Sequence, residues 1–195
     1  MRVGVFAAAL VAAGCQEAAE PASPERALPS ETLVELPATP EPAALPVAVV
    51  AKLEEIRDLA ERGQLRRLSR LAEREPGFKS NFGGERHYDH WILLRRTGVD
   101  PLAKLTALLD EPHADILVGD ETWHVWPDLA ARDPEDLLPE RLSFRDRARL
   151  LDLIGETGLD RIRAGEPYPG FRLAVTDTGR WVYFLHESGA EEGEE

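Results

Sequence analysis

The chain has 195 residues, of which 43% are hydrophobic and 30% are charged, and its formal net charge is −13 at pH 7. Most of the negative charge lies at the two ends, because residues 47–186 carry 21 Lys and Arg against 25 Asp and Glu. No basic stripe is present, so the composition argues against a nucleic-acid partner. An acidic chain is also not attracted electrostatically to anionic lipid.

The amino terminus has the pattern of an export signal. Arg2 precedes an apolar run from Val3 to Gly14, and Cys15, the only cysteine, follows that run directly. A basic residue, a short apolar stretch and then small residues are typical of a secretory signal peptide. A helix of 12 residues rises roughly 18 Å, which is short of the ~30 Å hydrocarbon core of a bilayer. With one cysteine, an intramolecular disulfide is impossible.

The run Ala12-Ala13-Gly14-Cys15 resembles the lipobox of bacterial lipoproteins, although that family usually has leucine where this chain has Ala12. The resemblance implies lipidation of Cys15 and a location in the bacterial cell envelope, lipid-anchored and facing the periplasm. Gln16 stands where aspartate favours inner-membrane retention, so the resemblance favours the outer membrane. The alternatives are an ordinary signal peptide with an incidental cysteine, and an amino-terminal helix with a buried thiol.

The chain divides by composition into four segments. Residues 1–14 are the predicted signal peptide, and residues 15–46 form the lipidated cysteine and a tether with seven prolines and no aromatic residue. Such a segment cannot bury a core and is expected to be disordered. Residues 47–186 have the size of one domain. Residues 187–195 hold five glutamates and no basic residue, which predicts an acidic disordered tail.

Two helices are predicted over residues 47–75, with a break at Gly63. Their apolar stripes are formed by Leu53, Ile56, Leu59 and Ala60, and then by Leu65, Leu68, Leu71 and Ala72. A short strand is predicted over residues 78–82, with Phe78 and Phe82 both pointing inward. Two shorter helices are expected at 87–97 and 101–109, the second capped by Asp100.

The second half of the domain is predicted to contain most of the sheet. Strands are expected at 116–118 and 122–126, followed by a helical turn at 133–138. A long helix is predicted over 143–163, capped by Ser143 and weakened by Gly155 and Gly158. Its predicted apolar positions are Ala148, Leu151, Ile154, Leu159 and Ile162. Residues 171–175 and 181–185 then form a hairpin with one core face and one face open to water.

These elements predict an α+β fold, with helices packed on a small antiparallel sheet and a C-terminal β-hairpin. The helix broken at Gly63, followed by Phe78 and Phe82, resembles the start of nuclear-transport-factor-2-like domains, which makes a cone the alternative. The whole domain more closely resembles uncharacterised bacterial secreted proteins that share a Phe-Gly-Gly turn, a Trp-Pro pair and a hairpin begun by glycine, here at residues 82–84, 126–127 and 170–184. That resemblance implies a fold family and no known activity.

His87 and His90 are three residues apart and would share one face of a helix. Two histidines make half of a metal site, and no neighbouring cysteine completes it, so the sequence assigns no metal. His124 or His186 could join them only if the fold brings them near. Asp89 could pair with either histidine as a general acid and base, although adjacent helical side chains point apart. The plainer interpretation is surface or hydrogen-bonding histidines.

Trp123 and Trp126 form an aromatic cluster in a predicted strand, in which Trp123 and Val125 point one way and His124 and Trp126 the other. Such rings could stack on a sugar of an envelope glycan, or they could pack in the core. The glycines at 83–84 lack the spacing of a phosphate-binding loop, and no nucleophile-elbow motif is present. No catalytic residue and no cofactor are therefore assigned.

The sequence thus favours a membrane-anchored envelope lipoprotein that acts as a non-catalytic binding or structural module. Its expected partners are the lipid anchor's membrane and an envelope protein or glycan. The alternative is a periplasmic small-ligand-binding protein, or a hydrolase or isomerase, with a pocket between helices and sheet lined by His87, His90, Trp123 and Trp126. A third hypothesis is metal binding through the five histidines.

Overall fold

The computed structural model describes residues 44–187. The signal peptide, Cys15, and most of the tether and of the acidic tail therefore lie outside the described residues. The described part contains five α-helices and a four-stranded antiparallel sheet, so the α+β prediction is confirmed. The sheet is open, which favours the first predicted architecture over the cone.

Four helices precede the sheet: α1 (Val47–Glu61), α2 (Leu65–Arg74), α3 (His87–Arg96) and α4 (Pro101–Leu109). Gly63 separates the first two, as predicted, with a φ of +68° that ends the helix. The side chain of Asp100 accepts a hydrogen bond from the backbone N–H of Leu102, and Pro101 occupies the first turn of α4. Both features are the expected signals of a helix start.

The sheet is a meander of adjacent strands in the order β1 (Ala114–Val118), β2 (Glu121–Trp126), β3 (Arg172–Thr176) and β4 (Trp181–Leu185). Short 3-10 turns follow β2 at Asp128–Ala131 and Pro134–Leu137. The long helix α5 (Phe144–Arg163) then leads back to β3, and Ser143 caps it through the backbone N–H of Asp146. The C-terminal hairpin predicted from the sequence is β3–β4.

The main core lies between helices α1–α4 and one face of the sheet. Its centre is aromatic: Trp91 and Trp181 are fully buried, and their ring centroids are 6.4 Å apart. A second cluster forms where α5 meets the two 3-10 turns, around Leu137, Leu150 and Ile162. No helix among residues 44–187 is long and apolar enough to cross a membrane.

The predicted strand at residues 78–82 is wrong apart from one bridge, in which Lys79 pairs with Tyr183 of β4. Phe78 is 7% exposed, but Phe82 is 66% exposed. The reason is a local loop, because the Asn81 side chain accepts hydrogen bonds from the backbone N–H groups of residues 84 and 85. This closed loop ends the extended backbone before Phe82 can point inward.

The predicted apolar face of the long helix is also partly wrong. Ala148 and Leu151 are exposed and Leu150 is buried, whereas Leu159 and Ile162 are buried as predicted. Gly155 has φ 67° and ψ −178°, so the helix is kinked there and its two halves do not share one periodicity. A single 3.6-residue repeat drawn through the glycine therefore misplaces the first half.

The second face of the hairpin is covered as well, contrary to the expected wet face. Ala174 of β3 is fully buried and packs with Val125 and Val182. Trp123 and Tyr183 on this face are partly exposed, with ring centroids 6.1 Å apart. The alternating residues of the hairpin therefore form two packed faces. One face contributes to the main core, and the other forms the smaller cluster with Val125.

Candidate functional site

The β1–β2 hairpin places three metal-ligand side chains on one face of the sheet. Asp115 of β1 pairs directly with His124 of β2, so their side chains lie side by side. His113 precedes Asp115 by two residues and therefore points to the same face. Trp126, two residues after His124, also points that way, and its ring centroid lies 5.1 Å from that of His113.

The three side chains are close enough to act on one ligand. His124 Nδ1 lies 2.7 Å from Asp115 Oδ1, and His113 Nε2 lies 3.7 Å from the same oxygen. One ligand atom from each residue lies within 4.8 Å of the others. The rings of His113 and His124 meet edge to face, with centroids 5.9 Å apart. Two imidazoles and a carboxylate are a set that binds Zn²⁺ and other first-row divalent metals.

The cluster is buried at one end and open at the other. His124 is 4% exposed, whereas half of the Asp115 side chain is exposed. The second ring nitrogen of His124, Nε2, is buried without a hydrogen-bond partner. Leaving a buried polar atom unpaired costs roughly 1–3 kcal/mol, so the Nδ1 edge is the edge of this ring with a polar partner. Nδ1 faces the accessible side, towards Asp115.

Burial of His113 favours the form of its imidazole that can act as a ligand. Its burial lowers the pKa of His113, and Asp115 opposes that shift only in part. Burial thus favours the neutral ring, the form that can donate an electron pair to a metal. A catalytic role as general base would require a ring nitrogen that reaches the substrate. The Nε2 atom of His124 is buried and cannot do so.

An ion-pair network fixes the base of this hairpin. The guanidinium of Arg149 on α5 contacts Glu111 and Asp128, each at 2.7 Å. The backbone N–H of Asp128 donates to the carbonyl of Pro112, also at 2.7 Å. These contacts join the residues just before β1 to those just after β2, and they hold His113 beside Trp126.

His87 and His90 lie on α3, away from this cluster in the sequence and in their contacts. His87 Nδ1 lies 2.8 Å from Ser80 Oγ, and its ring packs edge-on against Phe78 with centroids 4.9 Å apart. Burial lowers the pKa of His90. Burial also lowers the pKa of His186, and nearby cationic groups, among them Lys104 and Arg161, act in the same direction. His87 thus has packing and hydrogen-bonding contacts, which suit the plainer interpretation of this residue.

Trp123 and Trp126 point to opposite faces of β2, as the strand alternation predicts. Trp126 is buried in the main core and Trp123 packs on the second face against Tyr183. They therefore cannot line one pocket between the helices and the sheet. Trp123 and Tyr183 are the two aromatic rings placed to form a partly open wall.

Sequence reasoning included His113 only as one of the five histidines of the metal hypothesis, and it missed Asp115. The first strand was predicted to begin at residue 116, which left Asp115 outside the sheet, whereas the strand begins at Ala114, directly after His113. The predicted strands left three residues, 119–121, for the turn, whereas the turn has two, 119–120, and counting outward from it pairs Asp115 with His124. That count is the signal that could have found the site.

A separate cavity of about 240 Å³ lies between α4, α5 and the segment before β3. Its lining includes Lys104, Leu108, Arg149, Tyr168 and Phe171. The hydroxyl of Tyr168 is buried without a hydrogen-bond partner, and burial raises the pKa of this phenol. The cavity lining therefore combines apolar side chains with the charged groups of Lys104 and Arg149.

Comparisons with protein-family models, with curated proteins and with solved structures find no match for this chain.

Proposed function

We propose that this protein is a lipid-anchored component of a bacterial cell envelope and that its folded domain is a non-catalytic binding or structural module. The observation that carries the proposal is Cys15, which directly follows a short apolar segment and a run of small residues. A segment of that length is a poor permanent membrane span, so a lipid on the cysteine would supply the anchor.

The segment after Cys15 supports the same proposal. Residues 16–46 contain seven prolines and no aromatic residue, and α1 begins at Val47, directly after the last of these prolines. An extended proline-rich segment of 31 residues spans up to about 95 Å at ~3.1 Å per residue. Such a tether would hold the domain clear of the lipid headgroups and within reach of an envelope protein or glycan.

The lack of a catalytic motif in the sequence is consistent with a binding role. The described domain instead has a partly open aromatic pair, Trp123 and Tyr183, of the kind that stacks on sugar rings. A glycan or a protein of the envelope is therefore the partner class that we propose.

The proposal is tested by membrane fractionation of a bacterial host that expresses the full chain, Cys15→Ser or Gln16→Asp. We expect the native chain in the outer-membrane fraction and Cys15→Ser to lose its membrane association. Gln16→Asp is the matched control, because it keeps the cysteine and, by the resemblance to lipoprotein signals, should move the protein to the inner membrane. Equal membrane association of the native chain and Cys15→Ser would overturn the lipid anchor.

A second candidate, a periplasmic receptor or enzyme for a small ligand, is favoured by the cavity beside Tyr168. A volume of about 240 Å³ is small for a ligand site, but its lining combines apolar side chains with the charged groups of Lys104 and Arg149. Turnover of an envelope substrate by the purified protein would favour this candidate over the non-catalytic module.

A further inference from the structure

We infer that His113, Asp115 and His124 form a binding site for a first-row divalent transition metal, with Zn²⁺ as the representative ion. The site lies in the folded domain, and the inference does not rest on the proposed lipid anchor. It assigns a ligand class to a cluster that the fold assembles from β1, β2 and the residue just before β1, and that no motif in the sequence marks.

The backbone makes the arrangement rigid. Asp115 and His124 are direct partners in an antiparallel pair, and His113 lies two residues before Asp115 on the same face. Trp126 packs against the His113 ring, and the bond from Asp128 to Pro112 closes the hairpin below it. Ligands held by strands before a metal arrives lose little conformational freedom on binding.

The distances suit one shared ion. Ligand atoms bound to a metal at 2.0–2.2 Å lie about 3–4 Å from each other in tetrahedral geometry. Here Asp115 Oδ1 lies 2.7 Å from His124 Nδ1 and 3.7 Å from His113 Nε2. A small outward rotation of the half-exposed Asp115 side chain would open the shorter distance.

The choice of metal follows from the donor atoms. Two imidazole nitrogens and one carboxylate favour Zn²⁺, Co²⁺, Ni²⁺ or Cu²⁺ over Mg²⁺ and Ca²⁺, which prefer oxygen ligands. Three protein ligands leave coordination positions for water or for a side chain of a partner. The exposed side of Asp115 gives an ion access from solvent, and the buried His124 ring forms the floor of the site.

An ordinary hydrogen-bonded pair explains the cluster less well. A pair formed by His124 and Asp115 alone would not require His113 beside the same oxygen. The three ligand atoms nevertheless lie within 4.8 Å of one another. A metal gives all three side chains one role, because each supplies one electron pair to the ion.

The test is calorimetric titration of Zn²⁺ into the full chain, purified in detergent at about pH 7.5, with His113→Gln, Asp115→Asn and His90→Gln in parallel. His113 and Asp115 are chosen because they are more exposed than His124, so the variants should fold. His90→Gln is the matched control, since it removes a partly buried histidine outside the cluster. All four proteins retain the amino terminus, so any contribution of Cys15 is the same in each.

We expect one saturable Zn²⁺ site in the native chain and in His90→Gln, unaffected by millimolar Mg²⁺. His113→Gln and Asp115→Asn should each weaken binding at least ~10-fold, since even outer-sphere partners of metal ligands contribute 10–100-fold. Co²⁺ should give a visible absorption band in the native chain and in His90→Gln, and the band should be lost in His113→Gln. No saturable binding, or equal affinity in His113→Gln and the native chain, would overturn the site.

Discussion

The contrast between Phe78 and Phe82 gives a direct test of how the chain folds beside α3. The sequence pattern predicts that both rings point inward from one strand. In the structure Phe78 is 7% exposed and Phe82 is 66% exposed. The two phenylalanines lie four residues apart, so truncation to alanine in each place removes the same atoms from two different environments.

The expected magnitudes follow from the contacts of Phe78. Its ring centroid lies 4.5 Å from that of Trp181 and 4.9 Å from that of His87, inside the main core. Truncation of a buried phenylalanine costs about 3–5 kcal/mol in the free energy of unfolding. For Phe82, most of the ring is already in water, so we expect a loss below about 1 kcal/mol.

Urea unfolding followed by tryptophan fluorescence measures both losses. Phe78→Ala should lower the unfolding midpoint by more than about 1 M, given a slope of about 1–3 kcal/mol per M. Phe82→Ala should leave the midpoint nearly unchanged. Equal losses in the two variants would refute the loop at Asn81 and would restore the strand that the sequence pattern predicts.

Two further predictions concern the pH dependence and the kink of α5. Burial lowers the pKa of His87, His90, His113 and His186, so the folded state favours their neutral forms. The unfolded chain then binds more protons below its histidine pKa of about 6.5, and the free energy of unfolding should fall between about pH 7 and pH 5. Urea unfolding across that range checks the sign, and constant or rising stability on acidification would contradict it. Gly155 has a backbone conformation that is nearly restricted to glycine, and a Cβ there would meet no atom within 4 Å. Gly155→Ala should therefore cost about 1–3 kcal/mol through backbone strain alone. Gly63→Ala, at an ordinary left-handed position with equally open space, should cost about 1–2 kcal/mol. A smaller loss for Gly155→Ala than for Gly63→Ala, measured by thermal unfolding, would argue against the kink.

Local signals in the sequence were sufficient to predict most of the elements. The Asp100-Pro101 pair and Ser143 marked helix starts, and the hairpin around residues 177–179 followed from alternation and turn residues. These features depend on a few neighbouring residues, which a sequence displays directly. The α+β class followed from them.

Features that depend on distant contacts were not predictable in the same way. Leu150 is buried instead of Leu151 because the helix is kinked at Gly155. The hydrophobic periodicity of the sequence does not show in which direction a helix bends at a kink. The start of β1 at Ala114 depends on pairing with Val125 of β2, and the predicted strand was shorter. Because the predicted strand was too short, the sequence did not show that His113, Asp115 and His124 lie together on one face of the sheet.

The four candidate residues from the sequence illustrate a second limit. His87 is tied to Ser80 and Phe78, and Trp126 lies in the main core. In a sequence, a histidine or tryptophan that packs in the core cannot be told from one that binds a ligand. Only the three-dimensional contacts separate the two, and among the described residues they bring a possible metal-ligand set together at His113, Asp115 and His124 rather than on α3.

The central claim, a lipid anchor on Cys15, is tested most directly by intact mass spectrometry of the native protein extracted from membranes. The account predicts the mass of residues 15–195 plus a diacylglyceryl or triacyl group, with the added mass confined to the peptide that begins at Cys15. An unmodified mass, or cleavage at another position, would contradict the account. A freely soluble periplasmic receptor or enzyme would then be the better explanation of the chain.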